Sequence, residues 1–375
     1  MELPPLEVVI KLILLQLGGT LLLFLLIRQC FVWKGRKYFP PLTSGSVLLT
    51  GTSSGIGRTA AVYLAQRGFT VLAGVRKESD AQALRDLGVS GIHPVIIDVA
   101  KASSVEACRQ HVLSLLDAKT VPPLVGVVNN AGLLQDATVE FHDMAQMRHM
   151  FEVNYFGLIS VSSAFLPLLR RPPGSSSPHP NHQGRLINIG SVSGKVSFPR
   201  YGAYAASKHA VEAVTDSLRA ELDPAGVSVS LVQPGFCRTE LFIRGVVREK
   251  KEAHAAGHQI VSRGGGGAWK GERGREGGTV ERRWCGGMLE PVPPAAKEAY
   301  PYLYTPKFEE KNRRPMENGS DPLVVCEAIH HALSSPYPRT RYPVAKINRA
   351  DVGVVFLVRM LLPDRMFDHK FLLNC

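Results

Sequence analysis

Tyr204 and Lys208 are the residues of this chain whose types and spacing most directly suggest chemistry. Four residues apart on a helix, they would lie one turn from each other on the same face. A phenol has an ordinary pKa near ~10, and a nearby ammonium lowers that pKa because it favours the phenolate. We therefore predict a lowered pKa for Tyr204 and proton transfer near neutral pH. Alone, the pair also fits a plain surface contact.

Two further features accompany this pair. Ser191 lies thirteen residues before Tyr204, just after an apolar run. Residues 50–57 read Thr-Gly-Thr-Ser-Ser-Gly-Ile-Gly and join the apolar run Val47–Leu49 to a helical pattern over Arg58–Arg67. Such a strand, glycine turn and helix allow a pyrophosphate to approach the backbone at a helix N-terminus. The spacing Gly-x-x-x-Gly-x-Gly differs from the usual Gly-x-Gly-x-x-Gly fingerprint.

Taken together, these motifs resemble those of the short-chain dehydrogenase/reductase family, in the family's order and spacing, over roughly residues 45 to 240. The resemblance implies one α/β domain, a Rossmann-type doubly wound parallel sheet, that transfers a hydride between a nicotinamide and a carbonyl or alcohol. The matching residues are Thr50 to Gly57, Asp98, Asn129 to Gly132, Asn154, Ser191, Tyr204, Lys208, Pro234, Gly235 and Thr239.

The resemblance assigns catalytic roles to four residues. Tyr204 would protonate the substrate oxygen in reduction and deprotonate the alcohol in oxidation. Lys208 would lower the pKa of Tyr204 and contact the nicotinamide ribose. Ser191 would donate a hydrogen bond to the same oxygen, and Asn154 would hold a water that links Lys208 to solvent.

The resemblance also implies the cofactor contacts. Glycines of the turn would shape the pyrophosphate site, Asp98 at the end of the third strand would bind the adenine amine, and Asn130 with Gly132 would form the cofactor floor. Val232, Pro234 and Thr239 would face the nicotinamide amide. With Tyr204 and Lys208, the expected contacts are Gly51, Ser53, Ser54, Gly55, Ile56, Gly57, Arg76, Asp98, Val99, Asn130, Gly132, Pro234, Gly235 and Thr239.

Charge favours NADP(H) over NAD(H). A carboxylate at the end of the second strand would hold the ribose hydroxyls of NAD and repel a 2′-phosphate. Here that strand ends in Ala73-Gly74-Val75-Arg76-Lys77, without a carboxylate. Arg76 could pair with the phosphate, and Ser54 could assist; otherwise Arg76 and Lys77 are solvated loop charges.

Alternating strand and helix signals from Ser46 onward predict a parallel sheet covered by helices on both faces. A Pro- and Ser-rich loop is predicted over Arg171–Gly184. The candidate strands are Ser46–Leu49, Thr70–Val75, Val95–Asp98, Leu124–Val128, Arg185–Ile189, Val227–Val232 and Arg341–Val344.

Composition narrows the function classes. The hydrophobic content of 45% indicates a globular chain. Much of the net charge of +12 lies beside the N-terminal segment and in a late glycine-rich stretch. The sequence contains no stripe of basic and aromatic residues of the kind that binds nucleic acid, so we predict no nucleic-acid partner. The six cysteines show no Cys-x-x-Cys spacing, so we predict no metal site and reduced thiols facing the cytosol.

Residues 1–37 are predicted to form a membrane anchor with a basic flank, ahead of a catalytic domain over residues 38–375. Val8–Ile27 would span about 30 Å as a helix, the thickness of a bilayer core. Arg28, Lys34 and Arg36 follow it, which places the catalytic domain in the cytosol. No small-residue cleavage site follows Ile27, which disfavours a signal peptide; a monotopic anchor stays open.

Two segments of the second half stand apart. Residues 244–290 are charged and glycine-rich without an apolar period, and in the resembled family this region supplies the substrate lid. They are either an insertion in the lid or an unspliced intron, which transcript sequencing would distinguish. Val352–Leu362 is apolar with Arg359 inside it, and core packing is favoured over contact with a membrane surface.

The anchor and the sequence around Ser191 look most similar to hydroxysteroid and retinol dehydrogenases, which implies a lipophilic alcohol or ketone. The turn lacks the acidic residue common in the NAD-using retinol branch, which weakens a retinol assignment. A 3-keto-lipid reductase and a non-catalytic cofactor-binding membrane protein are the alternatives. The endoplasmic reticulum is the expected membrane, with lipid droplets second, and the resemblance is compatible with a homodimer.

Overall fold

The structure, a computed structural model, describes residues 37–170, 184–239, 293–308, 310, 318–347 and 350–367, together with scattered residues between 5 and 27. The chain forms two compact units, Met1–Phe39 and Pro40–Cys375. The predicted loop Arg171–Gly184, except Gly184 itself, and the predicted insertion at 244–290 lie outside the described residues.

In the first unit, every described residue from 7 to 27 is helical. Large apolar side chains on this stretch are exposed: Val8, Leu15, Leu22, Leu23, Phe24, Leu26 and Ile27.

The second unit is built on a seven-stranded sheet in the order β3-β2-β1-β4-β5-β6-β7, with every neighbouring pair parallel. This confirms the predicted doubly wound parallel sheet. The strands are β1 Gly45–Thr50, β2 Phe69–Val75, β3 Ile92–Ile96, β4 Leu124–Asn129, β5 Arg185–Ile189, β6 Ser228–Pro234 and β7 Arg341–Val344. A separate antiparallel pair joins β8 Lys346–Ile347 to β9 Ala350–Asp351.

Helices connect the strands and cover both faces of the sheet. They are α1 Gly55–Ala65, α2 Glu78–Arg85, α3 Ala102–Asp117, α4 Met144–Phe151, α5 Gly157–Leu169, α6 Gly202–Leu222, α7 Pro294–Ala299, α8 Leu323–Ser334, α9 Val352–Leu361 and α10 Asp364–Phe367. A π-helical segment, Glu152–Phe156, joins α4 to α5, and a 3-10 turn, Val192–Gly194, follows β5.

Alternation along the strands creates two apolar layers, one on each side of the sheet. Val47 and Leu49 pack with α1 and α8 on one face, whereas Leu48 packs with α3 and α5 on the other. Both layers are fully buried, as expected for a parallel sheet with helices on each face.

The strand order reverses between β1 and β4, because β1 pairs with β2 on one side and with β4 on the other. The loops that leave the carboxyl ends of β1 and β4 therefore diverge at this point, and in open α/β sheets ligands bind in the resulting crevice.

The bounds of several predicted elements differ from the structure, and two of these differences bear on the site. The predicted strand Val95–Asp98 is instead Ile92–Ile96, because these residues pair with Val71–Val75 of β2. Asp98 lies beyond the strand, where its N–H donates to Ser104 Oγ at the start of α3. The helical pattern over Arg58–Arg67 begins earlier, at Gly55, inside the glycine turn.

Among the described residues, one helix has the length and hydropathy of a membrane span, the continuous stretch Met144–Leu169, and half of its most apolar window is buried. That burial is typical of a core helix. Near the C-terminus, α9 buries Val352 and Val355 in a small apolar cluster, while its opposite face exposes Val354, Leu357 and Met360.

Candidate active site

The turn after β1 requires each of its three glycines. Gly51 and Gly55 have φ values of +71° and +55°, a region that L side chains rarely adopt. At Gly57 a Cβ would lie only 2.1 Å from the Gly51 carbonyl oxygen and 2.6 Å from Asn130 Nδ2. The turn is therefore packed too closely, or bent too sharply, for a side chain at any of these three positions.

Neighbouring side chains hold the turn. The side chain of Asn130, just after β4, donates from Nδ2 to the carbonyls of Thr50 at 2.9 Å and Gly51 at 3.1 Å. The hydroxyl of Thr50 in return accepts the Asn130 N–H at 3.0 Å. Thr52 donates through its N–H and its hydroxyl to Gly74 near the end of β2, both at 3.0 Å. Asn130 therefore links the residues after β4 to the start of the glycine turn.

The start of α1 fits a pyrophosphate. Its first turn contains no acidic residue, and no side chain in the described part of the molecule caps it at Ser54. The first N–H groups of a helix lack intrahelical partners and carry the positive end of its dipole, so they attract anions. Ser53, Ser54 and Ile56 are half-buried beside these groups.

Residues predicted to meet the adenosine half lie at the same edge of the sheet. Arg76 is exposed two residues after Gly74, which Thr52 ties to the glycine turn. Asp98 accepts a hydrogen bond from the Ala100 N–H at 3.2 Å and lies 3.7 Å from the exposed Lys101 ammonium. Val99 is buried beside the start of α5, where a Cβ on Gly157 would contact it.

Residues after β6 close the other side of the crevice. Thr239 is buried and lies against Gly55, where a Cβ would come within 3.2 Å of it. Pro234 ends β6, and a Cβ on the next residue, Gly235, would meet the Lys346 carbonyl oxygen at 2.8 Å. The structure thus brings Thr239 to the glycine turn.

The predicted catalytic residues meet just beyond the carboxyl end of β5. Lys208 is buried on α6 and donates from Nζ to the Ile189 carbonyl at 2.8 Å. The half-buried Tyr204 lies one turn earlier, and its ring centroid is 5.9 Å from Lys208 Nζ. Ser191 lies within hydrogen-bonding reach of the Tyr204 phenol, and its Oγ accepts the Ser193 N–H at 3.1 Å.

The expected lowering of the Tyr204 pKa is wrong for this geometry. Burial raises the pKa of Tyr204 above its ordinary value, and the hydrogen bond with Ser191 offsets this rise only in part. Burial also lowers the pKa of Lys208 to about 8, since no carboxylate in the described part of the chain contacts its ammonium. The phenol is therefore held protonated at neutral pH.

Asn154 lies in the π-helical segment beside this cluster, and such segments often occur at functional sites. Its Nδ2 donates to the Leu133 carbonyl at 2.9 Å and to Ser207 Oγ at 3.0 Å, and its Oδ1 accepts the Leu133 N–H at 2.7 Å. Gly132 lies against it, since a Cβ there would be 3.4 Å from Asn154 Oδ1 and 3.8 Å from Lys208 Nζ. Both amide hydrogens of Asn154 are thus engaged with protein atoms.

The sequence profile described as short chain dehydrogenase matches residues 46–249, which contain the sheet from β1 to β6 and the whole cluster. The chain belongs to the short-chain dehydrogenase family. It is accordingly an NAD(P)-dependent oxidoreductase.

Similar short-chain dehydrogenases include a steroid and a retinol enzyme. The human 17-beta-hydroxysteroid dehydrogenase type 6 is 30% identical over 341 residues, covering 90% of each chain. Retinol dehydrogenase 5 of Mus musculus is 29% identical over 331 residues, covering 88% of each. A crystal structure of a short-chain dehydrogenase from Streptomyces avermitilis superposes with a TM-score of 0.59 at 25% identity, covering 88% of this chain and 96% of the other.

One buried carboxylate in this short-chain dehydrogenase was missed by the sequence reasoning. Glu212 accepts hydrogen bonds from Gln233 Nε2 at 2.6 Å and Arg341 Nε at 3.4 Å, and pairs with Lys195 Nζ at 3.1 Å. It thereby joins β6, β7 and the turn that follows Ser191. The available signal was its position four residues after Lys208, on the same helix face.

Cys237, two residues before Thr239, is not a candidate nucleophile. Cys237 is a buried free thiol, and burial raises its pKa to about 12, so it is not a thiolate nucleophile at neutral pH. Cys108 and Cys326, on α3 and α8, are also free and buried.

The buried Lys208 ammonium predicts a pH-dependent cost in stability. The fall in the Lys208 pKa from its ordinary value of 10.5 to about 8 corresponds to a free-energy cost of about 3 kcal/mol for burying the charged form. Between these values the unfolded chain binds more protons, so folding stability rises with pH in this window and the cost is fully present below pH 8.

We expect Lys208→Met to remove this dependence. In thermal unfolding between pH 7 and 10, the melting temperature of the wild type should rise relative to that of the variant as the folded ammonium loses its proton. Arg85→Met, on the exposed face of α2, is the matched control. Parallel curves for wild type and Lys208→Met would contradict the assignment.

Proposed function

We propose that this short-chain dehydrogenase interconverts a lipophilic secondary alcohol and ketone, or a retinoid-like alcohol and aldehyde, with NADP(H) as the favoured cofactor. The observation that carries the proposal is the grouping of Ser191, Tyr204 and Lys208 at the carboxyl end of the sheet. This cluster lies at the same edge as the uncapped start of α1. When bound, the nicotinamide supplies or accepts the hydride.

Tyr204 is the proposed acid, and Ser191 orients the substrate oxygen. Because burial keeps the phenol protonated, it can give its proton to the oxygen of a carbonyl being reduced. Ser191 Oγ accepts the Ser193 N–H, and its hydroxyl hydrogen, which is directed to the Tyr204 phenol in this structure, would be donated to the oxygen of a bound substrate. Oxidation of an alcohol needs the phenolate and should gain rate as the pH rises.

Lys208 and Asn154 have supporting roles. One ammonium hydrogen of Lys208 goes to the Ile189 carbonyl, which leaves two for the nicotinamide ribose and for the path by which Tyr204 regains its proton. Asn154 was expected to hold a water. Since both of its amide hydrogens are engaged, its side chain in this proposal positions Ser207 on α6 and the loop after β4.

The cofactor would lie across the crevice at the strand-order reversal. The pyrophosphate would contact the turn at Gly51, Ser53, Ser54, Gly55, Ile56 and Gly57 and reach Thr239. The adenosine would lie by Asp98 and Val99, and the nicotinamide half by Asn130, Gly132, Pro234 and Gly235. Arg76 would pair with a 2′-phosphate.

A lipophilic substrate is supported by two observations. The steroid and retinol enzymes named above resemble the chain over about nine-tenths of its length. The segment Pro293–Tyr304, which returns toward α6 after Thr239, is rich in apolar and aromatic side chains, including Tyr300, Tyr302 and Leu303.

The proposed location is a membrane, with residues 1–37 as the anchor and residues 38–375 as the catalytic domain. The helical residues between 7 and 27 expose large apolar side chains, and Arg28, Lys34 and Arg36 follow them. The positive-inside rule places the catalytic domain in the cytosol. The endoplasmic reticulum is favoured over the lipid droplet.

Tyr204→Phe should lower kcat at least ~100-fold, because it removes the positioned proton donor without changing the shape of the site. The measurement is NADPH oxidation with the best lipophilic carbonyl, alongside cofactor binding, which should be retained. Tyr201→Phe, which removes a buried hydroxyl three residues earlier, should keep its turnover. Near-wild-type kcat in Tyr204→Phe would rule out the assigned acid.

Arg76→Ala should weaken NADPH binding about ten- to a hundredfold and leave NADH binding almost unchanged, since it removes a charge-assisted hydrogen bond to the 2′-phosphate. Dissociation constants of both cofactors would be measured by fluorescence titration. Lys77→Ala tests whether the neighbouring loop charge has the same effect on cofactor affinity. Equal loss for both cofactors would contradict the role of Arg76 in cofactor choice.

Removal of residues 1–37 should release the protein from membranes. The full-length chain should resist extraction by alkaline carbonate, because its apolar segment stays in the bilayer, and should dissolve only in detergent. A full-length variant with Arg28, Lys34 and Arg36 changed to Ala distinguishes two modes of membrane binding. It should still resist carbonate if the apolar segment is inserted in the bilayer, and it should be released if these charges hold the protein at the membrane surface. Carbonate resistance of the truncated chain would overturn the assignment of the anchor.

A further inference from the structure

Arg200 is a buried arginine at the entrance to α6, four residues before Tyr204. Its φ is +70°, in the left-handed region that residues other than glycine rarely adopt. Its side chain is only 1% exposed. A strained backbone and a buried charge at one residue both cost stability, so strong contacts must hold this arrangement.

Asp136, in the loop after β4, pairs with Arg200 through two parallel hydrogen bonds. Nε donates to Oδ1 at 2.7 Å, and Nη2 donates to Oδ2 at 2.6 Å. The backbone repeats the connection, because the Ala137 N–H donates to the Arg200 carbonyl at 2.8 Å. A planar guanidinium is suited to such a bidentate contact, and a lysine cannot reproduce it.

The remaining face of the guanidinium holds the segment Pro293–Tyr304. Nη1 of Arg200 donates to the Leu303 carbonyl at 3.0 Å, and its Cζ lies 4.9 Å from the centroid of the Tyr304 ring. This segment is where the described chain resumes after Thr239 and leads into α8. One side chain therefore joins three stretches that are distant in sequence.

Contacts around Arg200 join the same stretches. Tyr304 Oη is 3.3 Å from Thr138 Oγ1, and Tyr300 donates to Glu140 at 2.7 Å. Val139 lies beside Gly202, the first residue of α6, where a Cβ would come within 2.5 Å of it. The loop after β4 thus contacts both the segment and the start of the helix that carries Tyr204.

We propose that Arg200, paired with Asp136, is a positioning residue that fixes the segment Pro293–Tyr304 as the substrate-facing wall beside Tyr204. The inference rests on the proposed function, because it presumes that a lipophilic carbonyl binds at Tyr204. Arg200 itself touches neither the substrate nor the cofactor. It sets how tightly the wall closes on the apolar part of the substrate.

Arg200→Lys tests this role, since it keeps the charge and loses the fork that bridges Asp136 and Leu303. The full-length protein in detergent would be assayed with NADPH and whichever probe the wild type turns over fastest among ketosteroids, retinal and long-chain 3-keto lipids. KM for the carbonyl should rise at least about tenfold, the effect of losing charge-assisted hydrogen bonds, with kcat and NADPH affinity nearly unchanged. Arg85→Lys, at the exposed pair with Glu78, is the matched control.

A second readout is independent of turnover. Hydrogen exchange of residues 294–304 should accelerate in Arg200→Lys and stay unchanged in the control, while β1 and β4 stay protected in both. Tyr304→Leu leaves the buried pair intact, removes one wall contact and should raise KM in the same direction. Tyr304→Leu replaces Arg200→Lys as the test if Arg200→Lys does not fold.

The outcomes separate this inference from the proposed function. Faster exchange at 294–304 with a raised KM supports the wall. Faster exchange in a protein that turns over none of the carbonyls supports the positioning role and overturns the proposed function. Unchanged exchange and KM in an active enzyme, or a fall in kcat alone, overturns the role of Arg200 and leaves the proposed function standing.

Discussion

The site depends on one costly interaction, the buried ammonium of Lys208 held by the carbonyl of Ile189. No carboxylate among the described residues contacts this ammonium, and burial removes its hydration, which is why the pKa of Lys208 falls to about 8. The surrounding elements make this burial tolerable. The end of β5 supplies the carbonyl, the π-helical segment brings Asn154 alongside, and α6 places Tyr204 one turn away.

The glycine turn also depends on close packing, here at the crevice where the strand order reverses. Gly57 lies so near the Gly51 carbonyl that no side chain fits, and the amide of Asn130 fills the space beside it. The loops after β1 and β4 are thereby locked together where the strand order reverses. The start of α1 and the phenol of Tyr204 then lie at one edge of the sheet, where the proposed hydride transfer would bring two bound molecules together.

Much of this arrangement could be read from the sequence, because it depends on local pattern. The runs at Arg185–Ile189 and Arg341–Val344 are strands with the predicted bounds, since apolar residues bounded by turn signals define them. The loss of hydration of a buried side chain, by contrast, depends on the whole fold and not on neighbouring residues in the sequence. The spacing of Tyr204 and Lys208 indicated a lowered phenol pKa, and burial by the whole fold reversed that direction. Likewise, the end of β3 is set by its pairing with β2, which left Asp98 in the loop.

The sequence pattern could not predict contacts between segments that are distant along the chain. Arg200 and Asp136 are 64 residues apart, and no periodicity relates them. Glu212 is different, because its position one turn after Lys208 was visible, but its partners on β6 and β7 were not. Positions that combine burial with charge therefore need the fold before they can be interpreted.

The most direct test of the central claim is carbonyl-dependent oxidation of NADPH and NADH by membranes that contain the full-length chain, over ketosteroids, retinal and long-chain 3-keto lipids. We expect turnover with one class of lipophilic carbonyl and faster turnover with NADPH. Folded, membrane-bound protein that binds NADPH and oxidises it with none of these carbonyls would contradict the proposed function and favour a non-catalytic role.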